Sequence, residues 1–388
     1  MLKWFVVFLF ALATPACASG PYHSKAYGAV GDGTTDDTTN LQTWLTACTT
    51  DKVACYLDEG SYKITSTLSV AGSIHITGDG KDTATFLLGT TTLVGIDIAT
   101  TAPATIDNVG FNASGTQTAG EAILVDAGGA GENTESVFNK LSFLNQWNDI
   151  VFTRASWWTI SSSYFIDQRA QAVIVQNLNN VDSGDSTFSG NSVLFAGSPN
   201  NGNQVGLLWE SSGGLRINNN KFVNGYRCIQ YWLASNAWTG TLLVNGNSCE
   251  NPYDTGIFIS PQLPGGSTNG TIQKMEIVGN EFLLIGSAYG IRAYSTSGEL
   301  WLIGLAITGN SMQLNGLADS GASPHGIDLN YATDLAISGN MIWCTIPGTN
   351  DYGILIDNTV QIVGHGGNNV SGCTHKVSDN STSPPTAY

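Results

Sequence analysis

From Ile106 onward, apolar and polar positions alternate in short bursts, without the continuous faces of long helices or long strands. One phrase recurs: INNNKF from Ile217, VNGNSC from Val244, IVGNEF from Ile277, ITGNSM from Ile307 and ISGNMI from Ile337. Fainter versions are IDNVGF, FNKLSF, ISSSYF and FSGNSV. Their last positions, 222, 249, 282, 312 and 342, give a period of 27, 33, 30 and 30, irregular because the loops vary. Alternation around a Gly-Asn pair predicts a strand that bends sharply, since these residues adopt left-handed backbone most readily. A second phrase follows each bend: VGLLWE at Val205, CIQYW at Cys228, GIFIS at Gly256, GIRAY at Gly290, GIDLN at Gly326 and GILID at Gly353. Each unit thus holds two or three very short strands and almost no helical period. Such a unit buries its apolar side only by stacking on its neighbours. The pattern predicts a single-stranded parallel β-helix of about ten coils, each adding ~4.8 Å, over positions 61–376. A β-propeller would need tight antiparallel hairpins in every blade, which these long one-way loops do not supply.

Before the repeats, TTNLQTWLTAC places Leu41, Trp44, Leu45 and Cys48 at i, i+3, i+4 and i+7, one face of a short helix. Asp36 and Asp37 precede it and are expected to hold its first turn. Laid over the open end of the solenoid, the helix would protect an edge that otherwise pairs with other chains. Gly28 to Thr35 has the glycine spacing of a phosphate loop, but Thr34 stands where the lysine belongs.

The stretch AYGAVGDGTTDDTTNLQTWL, followed by VACYLDEGSYKI, resembles the opening of the pectate-lyase-like superfamily of right-handed parallel β-helices. That group includes rhamnogalacturonase-like and polygalacturonase-related enzymes, sugar epimerases and phage tailspikes. The resemblance implies a right-handed solenoid with an N-terminal cap at 19–60. It does not choose among the chemistries the superfamily hosts.

Composition narrows the setting. MLKWFVVFLFALATPACA, residues 1–18, reads as a secretory signal peptide with an A-x-A cleavage site, and Thr14 stands where a lipobox usually has leucine. Six cysteines then remain, an even number suited to an oxidising compartment. Neighbours along the chain suggest bridges 48–55, 228–249 and 344–373, and without C-x-x-C spacing a zinc site is not expected. A net charge of −16 disfavours nucleic acid and acidic membranes as partners. The polar tail 377–388 is expected to be disordered.

In the second phrase alternation points Ile229, Ile257, Ile291, Ile327 and Ile354 inward. It points Leu208, Gln230, Phe258, Arg292, Asp328 and Leu355 outward, followed by a column of Glu210, Trp232, Ser260, Tyr294, Asn330 and Asp357. Arg227, Thr255, Tyr289, His325 and Tyr352 stand just before the glycine position. Aromatic rings stack on sugars and charged groups bind hydroxyls, so this face predicts a carbohydrate groove. Asp328 and Asp357, on adjacent coils and offset by two positions, should lie on the order of 8 Å apart, as an inverting glycosidase requires. Arg292 beside Asp328 suits the latter to the role of base. Asp328, Asp357, Arg292 and His325 are the catalytic candidates. Glu210, Arg227, Trp232, Tyr289, Tyr294, Asn330 and Tyr352 are the substrate-binding ones, with no metal or cofactor.

The expected function is that of a secreted glycoside hydrolase acting on a plant or microbial polysaccharide. A uronate lyase using His325, Tyr289 or Arg292 is the alternative, and a tailspike-like binder without catalysis is a third. A secreted enzyme is expected to be a monomer and a spike a homotrimer. Gly364-His365-Gly366 echoes a polygalacturonase motif, but the Asp-Asp pair and Arg-Ile-Lys that accompany it in that branch are missing.

Overall fold

The computed structural model describes residues 20–382, apart from positions 116, 129–130, 177–183, 196–201, 212, 233–240, 261–271, 295–301, 317–323, 331 and 347–350. The expected signal peptide and the last residues of the tail lie outside the described residues.

The chain winds into a parallel β-helix with three faces. Sheet 1 has 13 strands, from Tyr22–His23 to Gln361–Gly366; sheet 2 has 13, from Asp32–Asp36 to Asn369–Ser371; sheet 3 has 12, from Leu68–Val70 to His375–Asp379. Each coil after the first contributes one strand to each face, so the solenoid exceeds the expected ten or so coils. Coil length varies more in the early coils than the phrases suggested: Leu141 and Ser163, equivalent positions in successive coils, are 22 residues apart, whereas Ile106 and Phe138 are 32 apart. The first phrase spans the corner between sheets 1 and 2, as in Leu215–Asn218 and Lys221–Val223. The second phrase is sheet 3. His375–Asp379 pairs with Tyr352–Ile356 and carries the solenoid past the boundary at 376 into the segment expected to be disordered.

In-register stacking turns sequence positions into columns. Ile229, Ile257, Ile291, Ile327 and Ile354 form one continuous buried column inside sheet 3. Phe86, Phe111, Phe143 and Phe165 stack inside sheet 2 with centroids 5.2, 5.2 and 5.0 Å apart. At the corner between sheets 1 and 2, the Gly-Asn pair divides its labour. Gly246, Gly279, Gly309 and Gly339 take φ near +64°, and the following asparagine points inward. Asn191, Asn220, Asn247, Asn280, Asn310, Asn340 and Asn368 then form a ladder. Each Oδ1 after the first accepts the backbone N–H and the Nδ2 of the asparagine one coil before, at 2.9 to 3.0 Å, and Asn191 Oδ1 accepts Ser163 N–H. Asn280 Nδ2 also donates to Val244 O at 2.9 Å. Inside a dry corner every one of these groups needs a partner.

At the N-terminus the helix Thr38–Asp51 buries Leu41, Trp44, Leu45 and Cys48 against the first coil, and Cys48 is bonded to Cys55. The other expected bridges, Cys228–Cys249 and Cys344–Cys373, are also formed. The opening aspartates share the work differently from expectation. Asp36 accepts Thr38 N–H at 3.1 Å and Thr65 Oγ1–H at 2.6 Å, so it does hold the start of the helix. Asp37 is fully buried and turns away, accepting Val30 N–H at 2.6 Å and Gly31 N–H at 3.0 Å. It ties down the glycine-rich loop, and only its backbone carbonyl serves the helix, accepting from Leu41. Asp32 accepts Thr34 and Thr35 N–H, and these bonds hold its carboxyl well below the usual range. All three aspartates close local turns.

Several buried polar groups lack a hydrogen-bond partner among the described residues, Asp149 among them. Asp149, on strand Asn148–Phe152, is wholly buried and neither carboxyl oxygen has a hydrogen-bond partner among the described residues. Burial pushes its pKa well up. Below the unfolded pKa of ~3.9 the group is neutral in both states; as pH rises, only the unfolded chain gains by ionising, so stability falls towards the raised folded pKa. Asp149→Asn should therefore be more stable than the parent at neutral pH, with the difference vanishing near about pH 4. Thermal unfolding across pH tests this, and a pH-independent difference would overturn it. Asn280→Ala strips the ladder of donors and acceptor together and should destabilise the protein by about 2–4 kcal/mol, measured by denaturant unfolding.

Candidate functional site

The outer face of sheet 3 carries the candidate residues. Phe258, Arg292, Asp328 and Leu355 are in register on successive strands, as are Thr255, Tyr289, His325, Tyr352 and His375. The glycine between the two sets exists for packing. A Cβ on Gly290 would lie 2.5 Å from Gly326 O, and one on Gly326 would lie 2.5 Å from Gly353 O. The chain bends there, which lets both Tyr289 and Arg292 face outward.

Asp328 is the centre of the cluster. Arg292 Nε lies 3.3 Å from Asp328 Oδ2, and His325 Nδ1 lies 3.8 Å from the same oxygen. The Arg292 guanidinium sits over Tyr289 at 4.2 Å and Tyr294 at 4.6 Å. His325 is wedged edge-on between Tyr289 and Tyr352, with centroids 4.9 and 5.1 Å away, and Tyr352 stacks on His375 at 4.5 Å. His325 Nδ1 is buried without a hydrogen-bond partner. Burial raises the pKa of Tyr289 above its ordinary value, so its phenol is a hydrogen-bond donor at neutral pH. Five of the eleven sequence candidates, Asp328, Arg292, His325, Tyr289 and Tyr352, thus meet in one linked patch, with Tyr294 covering it.

The others are arranged around that patch. Arg227, two strands away, donates from Nε to Asp254 Oδ2 at 2.6 Å and from Nη1 to Gln230 Oε1 at 2.9 Å, and lies 3.7 Å over Phe258. Asn330 follows its strand, donating its N–H to Ala293 O at 3.0 Å. Asp357 likewise lies just past its strand, exposed, accepting Thr359 N–H at 3.0 Å. It is one coil on from Asp328 and two positions along, the offset read from the sequence. Glu210 is four strands from Asp328, ~19 Å along the axis at the usual strand spacing. Burial raises its pKa. Trp232 packs against an outward apolar patch of Val151, Ile174, Val205 and Leu208, so much of its ring serves the protein itself. Gly364-His365-Gly366 lies on the final strand of sheet 1, off this face.

Sequence reasoning passed over Asp254, Tyr226, Tyr253 and His375. Asp254 precedes its strand and so sits in no alternating column. Tyr226 and Tyr253 stack at 5.9 Å beside Arg227 in the preceding turns. His375 was assigned to the end of the solenoid, although THKVSD continues the pre-glycine column. Nearer the N-terminus, Asp126 pairs with Arg154, Nε to Oδ1 at 2.9 Å, and its charge adds to burial in raising the pKa of Asp97. The Arg292–Asp328 pair is mostly buried, with the side chains 24% and 17% exposed, so removing the cation would leave a poorly solvated carboxylate without its partner. Arg292→Met should lower stability by about 3 kcal/mol in thermal unfolding, whereas a change below about 1 kcal/mol would show that the pair does not hold the fold.

No family model matches the chain. A stretch of 55 residues, 14% of this chain and 6% of the other, is 49% identical to a probable glucan endo-1,3-beta-glucosidase of Arthroderma benhamiae, so the chain spans only a small part of that protein. Among solved structures, the A-module of a mannuronan C-5 epimerase from Azotobacter vinelandii matches at TM-score 0.62 and 17% identity, over 95% of this chain and all of that one. The catalytic unit of an alpha-1,3-glucanase from Streptomyces thermodiastaticus matches at TM-score 0.59 and 14% identity, over 95% of this chain and 71% of that one. A surface adhesin of Streptococcus pneumoniae matches at TM-score 0.59 and 16% identity, over 92% and 93%. These likenesses show the fold, a parallel β-helix, in keeping with the solenoid that the opening motif implied.

Proposed function

We propose that the chain is a secreted glycoside hydrolase that cleaves a neutral polysaccharide on the outer face of sheet 3. The observation that carries this reading is the cluster of Asp328, Arg292 and His325 set among Tyr289, Tyr294 and Tyr352. Rings of this kind stack on sugars while the polar groups bind hydroxyls. In the proposed reaction Asp328, oriented by Arg292, takes a proton from water as its oxygen attacks the anomeric carbon. Asp357 gives a proton to the departing glycosidic oxygen, and the configuration inverts. Asn330 binds a sugar hydroxyl nearby, and Glu210, Arg227 and Trp232 contact more distant sugars.

Electrostatics favour an uncharged substrate. The two arginines of this face, Arg227 and Arg292, are each paired with a carboxylate, Asp254 and Asp328. With a net charge of −16 behind them, they offer a polyanion no local excess of positive charge. The likeness of a segment to a glucan endo-1,3-beta-glucosidase and of the fold to an alpha-1,3-glucanase supports the same reading. The three disulfides support export to an oxidising compartment.

One observation favours a second reading. The unpartnered His325 Nδ1 beside Tyr289 is suited to moving a proton, as in a lyase acting on a uronate. Incubation with a polysaccharide panel separates the readings: new reducing ends without absorbance of unsaturated uronates support hydrolysis, and both together support the lyase. Asp328→Asn should lower kcat by at least about a hundredfold. Activity on no member of a broad panel would leave binding alone and sink the enzyme reading, and a monomer in sedimentation would weigh against a spike.

A further inference from the structure

A second cleft lies on another face. On sheet 1, Trp157, Asp185, Arg216, Leu243 and Glu276 line an open groove of about 510 Å³, within the range of small-ligand sites. They belong to successive strands: Thr159, Thr187 and Arg216 are in register, as are Arg216, Leu243 and Glu276. Trp157 and Asp185 stand two positions before that column. The cleft therefore runs ~19 Å along the solenoid, enough for several pyranose rings.

Trp157 is the anomalous member. It is 56% exposed, beside the fully buried Trp158. Its φ is +56°, a left-handed conformation unusual for a bulky residue. The same bend recurs in later coils, where Asp185, Lys274, Gly304 and Asp334 occupy it with φ between +54° and +72°. Small or polar residues thus satisfy the backbone requirement, and folding gains nothing from an indole there. Asp185, Arg216 and Glu276 make no ion pair or side-chain hydrogen bond among the described residues. The cleft thus offers one flat apolar platform ringed by free donors and acceptors of both signs, the chemistry that recognises a neutral sugar and not an anion.

We infer that this groove on sheet 1 is a second glycan-binding site, separate from the proposed catalytic face, which holds a neutral polysaccharide chain by stacking one ring on Trp157. The inference rests on the reading that the protein acts on glycans, and its test keeps the two apart. Electrophoresis of the folded protein through gels containing laminarin, a β-1,3-glucan, or soluble α-1,3-glucan oligosaccharides reads binding as retardation. The parent and Asp328→Asn should be retarded alike. Trp157→Ala should bind about tenfold more weakly, and Trp157→Phe should recover part of the loss. Arg216→Ala, which leaves the indole in place, should also weaken binding. Release of reducing ends from short oligosaccharides should be unchanged in Trp157→Ala and lost in Asp328→Asn. Equal retardation of the parent and Trp157→Ala, or no retardation of the parent by either glucan, overturns the second site. Unchanged activity in Asp328→Asn overturns the catalytic reading and leaves the second site standing.

Discussion

In-register hydrogen bonding between successive coils is the constraint on which everything else in this molecule depends. Each coil has partners only above and below, so the backbone polar groups of a coil are satisfied only when its neighbours present the same positions at the same height. The asparagine ladder enforces that match at the tightest corner. An amide that bonds the coils on both sides tolerates no slip of register, and a slip of one residue would also turn every inward isoleucine outward. Regular stacking then leaves an open edge at the N-terminus. The helix Thr38–Asp51 covers it, with Trp44 Nε1 donating to Tyr22 O at 2.6 Å.

This constraint explains what could be read from the chain. Periodic residues were legible because stacking repeats them: the isoleucine column, the outward column through Arg292 and Asp328, and the Gly-Asn corner all follow from alternation. The number of coils was harder to read, because the phrases that define the period lie in the C-terminal half and the early coils vary in length, with equivalent positions 22 residues apart in one case and 32 in another. Residues in the connecting turns carry no period. Asp254 and the Tyr226–Tyr253 pair were invisible for that reason, although they complete the environment of Arg227. Asp36 and Asp37 were correctly placed at the helix start, yet nothing in their spacing reveals that Asp37 turns back towards Val30 and Gly31. Tertiary burial decides that choice.

The proposed chemistry inherits the same logic. A solenoid brings together residues some thirty positions apart, one per coil, so Tyr289, His325 and Tyr352 form a file of rings without any local motif. Rings held in register keep their spacing by the same backbone bonds that hold the coils, so the file is in place before any ligand arrives. Preorganisation of this kind spares the entropy of ordering side chains on binding. The disulfides act at the same place: Cys228 adjoins Arg227, and Cys344–Cys373 fixes the coil that carries Tyr352.

The three faces are not equivalent, and the difference lies in how charge is used. On sheet 3 both arginines are matched within the protein, Arg227 by Asp254 and Arg292 by Asp328, which holds the carboxylates in fixed positions. On sheet 1 Arg216, Asp185 and Glu276 have no ion-pair partner among the described residues and stand around an exposed indole. Internal pairing suits groups that must be oriented for a reaction, whereas unpaired groups suit a surface that only has to hold a hydroxyl-rich chain. If both proposals hold, a polymer long enough to reach both faces would meet one that grips and one equipped to react. The rod places these on different sides, so a single chain would have to wrap the solenoid or two chains would have to lie against it. Either arrangement suits an aggregated polysaccharide better than a short soluble oligomer, because only an extended surface offers both contacts at once.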